Sequence, residues 1–203
     1  MTFEFLLTAL VIIASPGTGA IYTVAAGISG GNRASLVASF GCTLGIVPHM
    51  LVAISGLAAL LHASATAFQV IQYFGVAYLL YMAWATFRDR GTLTLDSKTD
   101  GRSVRQVIVS AILVNLLNPK LSIFFFAFLP QFVREDDASP IRTMLELSLV
   151  FMALTFLVFA AYGAFAAAVG QRVLSRASVR AWMRRGFAAA FAALAVKLAF
   201  VQR

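Results

Sequence analysis

Charge is what this sequence has least of. Of its 203 residues only 12% are Asp, Glu, Lys or Arg, and residues 5–32 and 34–87 contain none. A soluble domain carries about twice that share of charge, so a soluble globular protein is excluded. Each uncharged run exceeds the ~20 residues that a helix needs to cross a bilayer. With 61% hydrophobic residues and a mean hydropathy of +0.88, the chain reads as an all-α, multi-pass membrane protein. Cysteine is nearly absent too: Cys42 is the only one. It excludes an internal disulfide and a carrier built on paired thiols. No His/Cys cluster offers a metal site, and His49 and His62 stand alone as packed or interfacial histidines. No basic segment precedes the first apolar run, which begins with Glu4 and outlasts the apolar core of a signal peptide, so a cleaved leader is not expected.

What charge there is has a pattern. The net charge of +8 would suit nucleic acid, but the basic residues sit between the apolar runs, where topology and anionic lipid headgroups account for them. The runs predict six helices, over about 3–28, 34–61, 67–87, 104–133, 142–169 and 186–201. Connections on one side carry Arg33, then Arg88, Arg90, Lys98, Arg102 and Arg105, then Arg172, Arg176, Arg180, Arg184 and Arg185. The other side has only Arg134, Arg142 and Arg203. Eleven against three places the first group in the cytoplasm and both termini outside. The whole chain, 1–203, is then one transmembrane domain: a three-helix repeat over 1–87, a cytoplasmic connection over 88–103 and an inverted three-helix repeat over 104–203.

The first helix of each repeat contains a breaker. Ser15-Pro16-Gly17 interrupts one, and Asn118-Pro119-Lys120 the other. Proline removes a helix hydrogen bond and pushes the preceding residue out of helical geometry. Counted along the helices, Pro16 and Pro119 each lie about 20 Å into the bilayer. A buried lysine there costs several kcal/mol, and an anchor has no use for one. Interrupted helices at matching positions of inverted repeats point to the solute site of a secondary transporter. The freed N–H groups and helix N-termini suit a carboxylate, and the freed carbonyls suit an ammonium. An α-amino acid offers both groups. Ser15, Pro16, Gly17, Asn115, Asn118, Pro119 and Lys120 are therefore the candidate substrate-binding residues, with Lys120 holding the carboxylate or titrating. Tyr78 joins them as a candidate pocket wall, although it and Tyr73 also fit plain packing.

Other features have blander readings. Gly41 and Gly45 permit close packing, either inside the chain or at a homodimer seam. Gly27, Gly30 and Gly31 suit a cytoplasmic turn. Tyr81 and Trp84 fit an interfacial belt, and Phe124–Phe126 with Phe128 fit a lipid-facing and core surface. Gln131 is placed to cap the fourth helix, and Lys197 to snorkel toward the C-terminus. No Asp or Glu lies deep in a span, which argues against a cation channel or a carboxylate proton relay. Ser15 has no evident base, so an intramembrane enzyme is not indicated, and no cofactor is expected.

Ser15-Pro16-Gly17, Gly41 to Gly45, Gly75-Val76-Ala77-Tyr78-Leu79 and Asn115-Leu-Leu-Asn118-Pro119-Lys120 occur here in that order. Phe124 and Leu129-Pro130-Gln131-Phe132 follow. In these motifs the chain resembles, over essentially its whole length, the lysine exporter and homoserine–threonine resistance family of bacterial amino-acid efflux proteins. The homoserine/threonine branch is nearest, partly through Ser15 to Ile21. The resemblance implies export of small amino acids or their derivatives across the inner membrane in exchange for protons. Many members have a second proline where Thr18 stands, and several carry an acidic residue near Thr155. Without that acid a neutral, homoserine- or threonine-like substrate is favoured over a cationic one, and the proton-carrying residue is left unassigned. The remaining alternative is a membrane scaffold without transport.

Overall fold

A computed structural model describes residues 2–15, 17–61, 103–134, 136–169 and 177–200, with scattered positions between 70 and 88. Pro16, His62, Gly75, Tyr78 and most of the 88–103 connection lie outside the described residues, as does the side chain of Lys197. Every element among the described residues is helical. In chain order they are α1 (Phe3–Ala14), α2 (Thr18–Leu44), α3 (Val47–Leu61), α4 (Val104–Leu116) and α5 (Pro119–Ile123). A π-helical turn (Phe124–Phe128) and a 3-10 turn (Leu129–Phe132) continue α5, and α6 (Pro140–Val169) and α7 (Ala177–Ala199) follow.

By length and composition two helical stretches are fit to cross a membrane, Thr18–Gly56 and Pro140–Ala168. A third is added if Val104–Leu116 and Pro119–Phe132, bent by 52°, count as one span. Phe3–Ala14 is apolar but shorter.

Proline sets the breaks. α1 closes at Ser15, whose φ of −62° and ψ of 137° are those forced on a residue preceding proline. α4 ends at Leu117, and Asn118, extended at φ −82° and ψ 105°, starts α5 with Pro119 in its first turn. Proline is tolerated there because that N–H has no helical partner anyway. A second break, which the sequence reading did not anticipate, falls at Gly45 and Ile46, ahead of Pro48 in the first turn of α3. Past α5, Pro130 cannot donate to the turn before it, and the chain passes through wider π and tighter 3-10 geometry there.

The expected turn near Gly31 is present. Gly31 has φ 69° and ψ −166°, a conformation that costs glycine little. Across it α2 folds back on itself: Thr23 Oγ1 lies 3.9 Å from Cys42 Sγ, and Cys42 Sγ lies 3.7 Å from the Gly19 carbonyl. A straight helix would hold Thr23 and Cys42 about 28 Å apart. The first arm runs against α4, with Thr18 near Val114 and Tyr22 near Val107. The second arm runs with α4: Gly41 abuts Ile108 and Ala111, and Gly45 abuts Ile112 and Asn115. Both glycines therefore serve packing within the chain.

Side-chain placement narrows two readings and corrects one helix boundary. Phe124, Phe125 and Phe128 belong to the core side of the lipid-facing and core surface: they are buried, and Phe124 stacks on Phe151 of α6 with centroids 4.2 Å apart. The π turn together with α6 encloses them. Tyr73 is 63% exposed. The last helix starts at Ala177, not near Gly186, because Arg180, Arg184 and Arg185 end an apolar run without ending a helix. Gln131 does donate to the Ala127 carbonyl, as a cap on the preceding turn.

Candidate functional site

Each break frees backbone groups, and here the two breaks supply each other's partners. At the end of α1 the last carbonyls have no next turn to bond. Ser15 N–H still reaches the Val11 carbonyl at 3.1 Å, and Tyr162 of α6 donates to the Ala14 carbonyl at 2.8 Å. The Lys120 ammonium, from the first turn of α5, takes two more. It donates to the Ile12 carbonyl at 2.8 Å, the Ser15 carbonyl at 2.9 Å and Ser15 Oγ at 3.2 Å. Three acceptors use all three N–H groups of an ammonium, and the negative end of a helix dipole favours a cation there.

Lys120 is 7% exposed. The salt bridges among the described residues, Arg134–Asp136 and Arg142–Glu146, lie at exposed positions, and none reaches Lys120. Carbonyls and a hydroxyl, not a carboxylate, thus hold this charge. Gly17 makes room for it: a Cβ on Gly17 would sit 2.9 Å from Lys120 Nζ and 3.2 Å from Cε.

The second break is built around two asparagines. Asn118 Oδ1 accepts from Lys120 N–H at 3.1 Å, which caps α5. Asn118 Nδ2 donates to Asn115 Oδ1 at 3.2 Å, and Asn115 Nδ2 donates to the Cys42 carbonyl at 2.6 Å. Asn115, Asn118 and Ser15 are all buried. Thr18 Oγ1 donates to the Val114 carbonyl at 3.3 Å, tying the restart of the first broken helix to the end of α4. Thr155, where the resemblance drew attention to a missing acid, is buried and donates to the Phe151 carbonyl of its own helix at 2.8 Å.

Of the residues singled out in the sequence, Ser15, Asn115, Asn118 and Lys120 come together in one buried cluster, with Gly17 half-buried against Lys120, whereas Pro119, in the first turn of α5, is exposed. Pro16 and Tyr78 lie outside the described residues. Sequence reasoning missed two residues that touch this cluster from outside, Tyr162 at the Ala14 carbonyl and His49 at the Asn115 carbonyl. Nothing in the sequence singles out Tyr162. His49 is a titratable side chain inside an uncharged run, the same signal that drew attention to Lys120. Among the described residues no three His, Cys, Asp or Glu side chains gather as a metal site.

The profile of the family described as LysE type translocator matches residues 10–202. A Vibrio cholerae protein described as an uncharacterized membrane protein is 33% identical over 171 residues, 84% of this chain and 83% of its own length. The homoserine/homoserine lactone efflux proteins of Salmonella typhimurium and Salmonella typhi are each 34% identical over 137 residues, 66% of either chain. No solved structure matches.

Proposed function

Because this chain belongs to the family of LysE type translocators, membrane transporters and not enzymes, we propose that it is a secondary exporter of small, mostly neutral amino acids or their derivatives. One observation carries the reading: Lys120, beside one broken helix, closes the end of the other through Ser15 and Ile12. The cluster holds a cation, helix-end carbonyls and amide donors within a few ångströms, the set that a zwitterion requires. The efflux relatives' name supports homoserine-like solutes. The lack of an acid at Thr155 favours a neutral solute over a cationic one.

In this proposal Ser15, Pro16, Gly17, Asn115, Asn118, Pro119, Lys120 and Tyr78 form the solute site. The substrate carboxylate approaches Lys120 and displaces at least one of its three present acceptors. That displacement loosens the end of α1, so solute binding and helix movement are one event. Transport is by proton antiport across the bacterial inner membrane. The chain crosses it six times as two inverted three-helix repeats, with both termini periplasmic; the reversal at Gly31 supports a first hairpin of that kind.

The test is efflux from cells preloaded with a panel of radiolabelled amino acids. Expression should speed the loss of homoserine or threonine and raise tolerance to them. If no solute in the panel leaves faster than from cells without the protein, the exporter reading fails.

A further inference from the structure

His49 is buried in the first turn of α3, 7% exposed, in a stretch of chain otherwise without charge. Its Nε2 lies 3.3 Å from the Asn115 carbonyl at the end of α4, and its Nδ1 lies 3.3 Å from Ser122 Oγ on α5. The Phe125 ring lies nearly parallel, 6.5 Å away between centroids. A carbonyl only accepts, so Nε2 carries a proton and Nδ1 of the neutral ring receives the Ser122 hydroxyl.

This is the counterpart of what Lys120 does at α1. Each broken helix has a C-terminal carbonyl held by a titratable side chain that the other half of the chain supplies. The two sites differ in their partners, however. Lys120 faces two carbonyls and the Ser15 hydroxyl, whose own hydrogen goes to the Ile12 carbonyl at 2.7 Å, a set that matches the three donors of the charged amine. His49 faces carbonyls at the end of α4 and the Ser122 hydroxyl, and a hydroxyl donates or accepts by rotating. Protonation at Nδ1 would turn Ser122 into the acceptor, with its own hydrogen turned to a carbonyl one turn back along α5, as helical serines do. Both charge states are thereby hydrogen-bonded without moving heavy atoms. The negative end of the α4 dipole favours the added charge.

We propose that His49, poised between the Asn115 carbonyl and the Ser122 hydroxyl, is the proton-carrying residue of the transport cycle. The proton arrives from water on one side, forms the Nδ1–H bond, and leaves to water on the other; no other bond is made or broken. Its route to the solute is short. The same Asn115 bonds Asn118, and Asn118 bonds the backbone N–H of Lys120. The titratable and charged groups on the elements packed around His49 are Lys120 on α5 and Cys42, Tyr22 and Arg33 on α2. To these α4 adds Arg105, and α6 adds Tyr162 and the Arg142–Glu146 pair. Among the described residues none of them bonds the imidazole, and Lys120 points away from it, toward Ser15.

The inference rests on the exporter reading, and one experiment separates the two. Purified protein in liposomes is assayed for homoserine exchange at equal pH and for homoserine uptake driven by an acid interior. His49→Gln keeps an amide to donate to Asn115 but binds no proton. It should exchange within about twofold of wild type while driven uptake falls at least about tenfold, a loss of about 1.4 kcal/mol of coupling. Ser122→Ala removes the acceptor that the protonated ring needs, and should move the pH profile of driven uptake toward acid. If driven uptake in His49→Gln survives, or falls only in step with exchange, and Ser122→Ala leaves the profile in place, His49 is a structural cap and the proposal is overturned. Wild-type protein that exchanges no solute of the panel refutes the exporter reading itself, a result that needs no variant.

Discussion

Lys120 is held in place by three acceptors and by the missing side chain at Gly17. Each hydrogen bond from a charged donor is worth about 1.5–3 kcal/mol, so a change at Gly17 acts through the ammonium it displaces. Gly17→Ala should leave the protein inserted and folded yet cut solute exchange several-fold. Gly56→Ala, whose new Cβ meets nothing within 4 Å, should exchange like wild type; equal rates for the two variants would separate Gly17 from the site. At this scale the sequence was informative about positions and silent about partners. Proline beside Ser15 and Asn118 marks both breaks without any structure. That the Lys120 ammonium would be used up on Ile12 and Ser15, or that Asn115 would reach the Cys42 carbonyl, depends on neighbours distant along the chain, which no local pattern encodes.

Helix contacts impose a second set of constraints. Both arms of α2 pass α6 so closely that a Cβ on Gly27 would strike the Gly163 carbonyl, and one on Gly163 would strike Ser35. Overpacking of this kind typically costs about 1–3 kcal/mol. Gly27→Val should therefore lower the unfolding temperature in detergent, whereas Gly186→Ala, with open space around it, should not. Ahead of α6, Asp137 accepts from Thr143 Oγ1 at 2.7 Å and from Ser139 N–H at 2.8 Å, and these bonds hold its carboxyl below the usual carboxylate range. A depressed folded value gives a contribution that is full above the unfolded pKa, about 3.9, and fades as pH falls through the lower folded value. Asp137→Asn should accordingly cost some thermal stability near neutral pH and less in strong acid; a pH-independent difference would show that its charge is not involved. Elements were legible where apolarity and helicity coincide, as in α1 and α6. They were misread where the two diverge, since arginines hid the first turns of α7 and apolarity hid the break at Gly45 and Ile46.

For the molecule as a whole, the fold-back at Gly31 and the contact between the two breaks are what a repeat architecture with a shared central site requires. The proposed topology adds that Gly31 faces the cytoplasm and the Arg134–Asp137 stretch the periplasm. In a Cys42→Ser background, a cysteine placed at Asn32 should resist a membrane-impermeant thiol reagent added to intact cells, and one placed at Asp136 should react. The reverse pattern would invert the orientation. Composition was enough to establish a helical membrane protein, because a near absence of charge over such lengths leaves no other class. How the helices face one another was not legible, since lipid and protein interior are equally apolar and Phe124 reads the same in either.

The account stands or falls on whether the closed contact between the breaks is where solute binds, and the most direct measurement is homoserine exchange by Lys120→Met in liposomes, normalised to inserted protein. Methionine keeps much of the side chain's length and apolar stem but donates nothing to Ile12, Ser15 or a carboxylate. The account predicts that exchange falls at least about tenfold, equivalent to about 1.4 kcal/mol, while the variant remains inserted and monodisperse. Exchange within about twofold of wild type would contradict it and leave Lys120 as no more than the cap of α1.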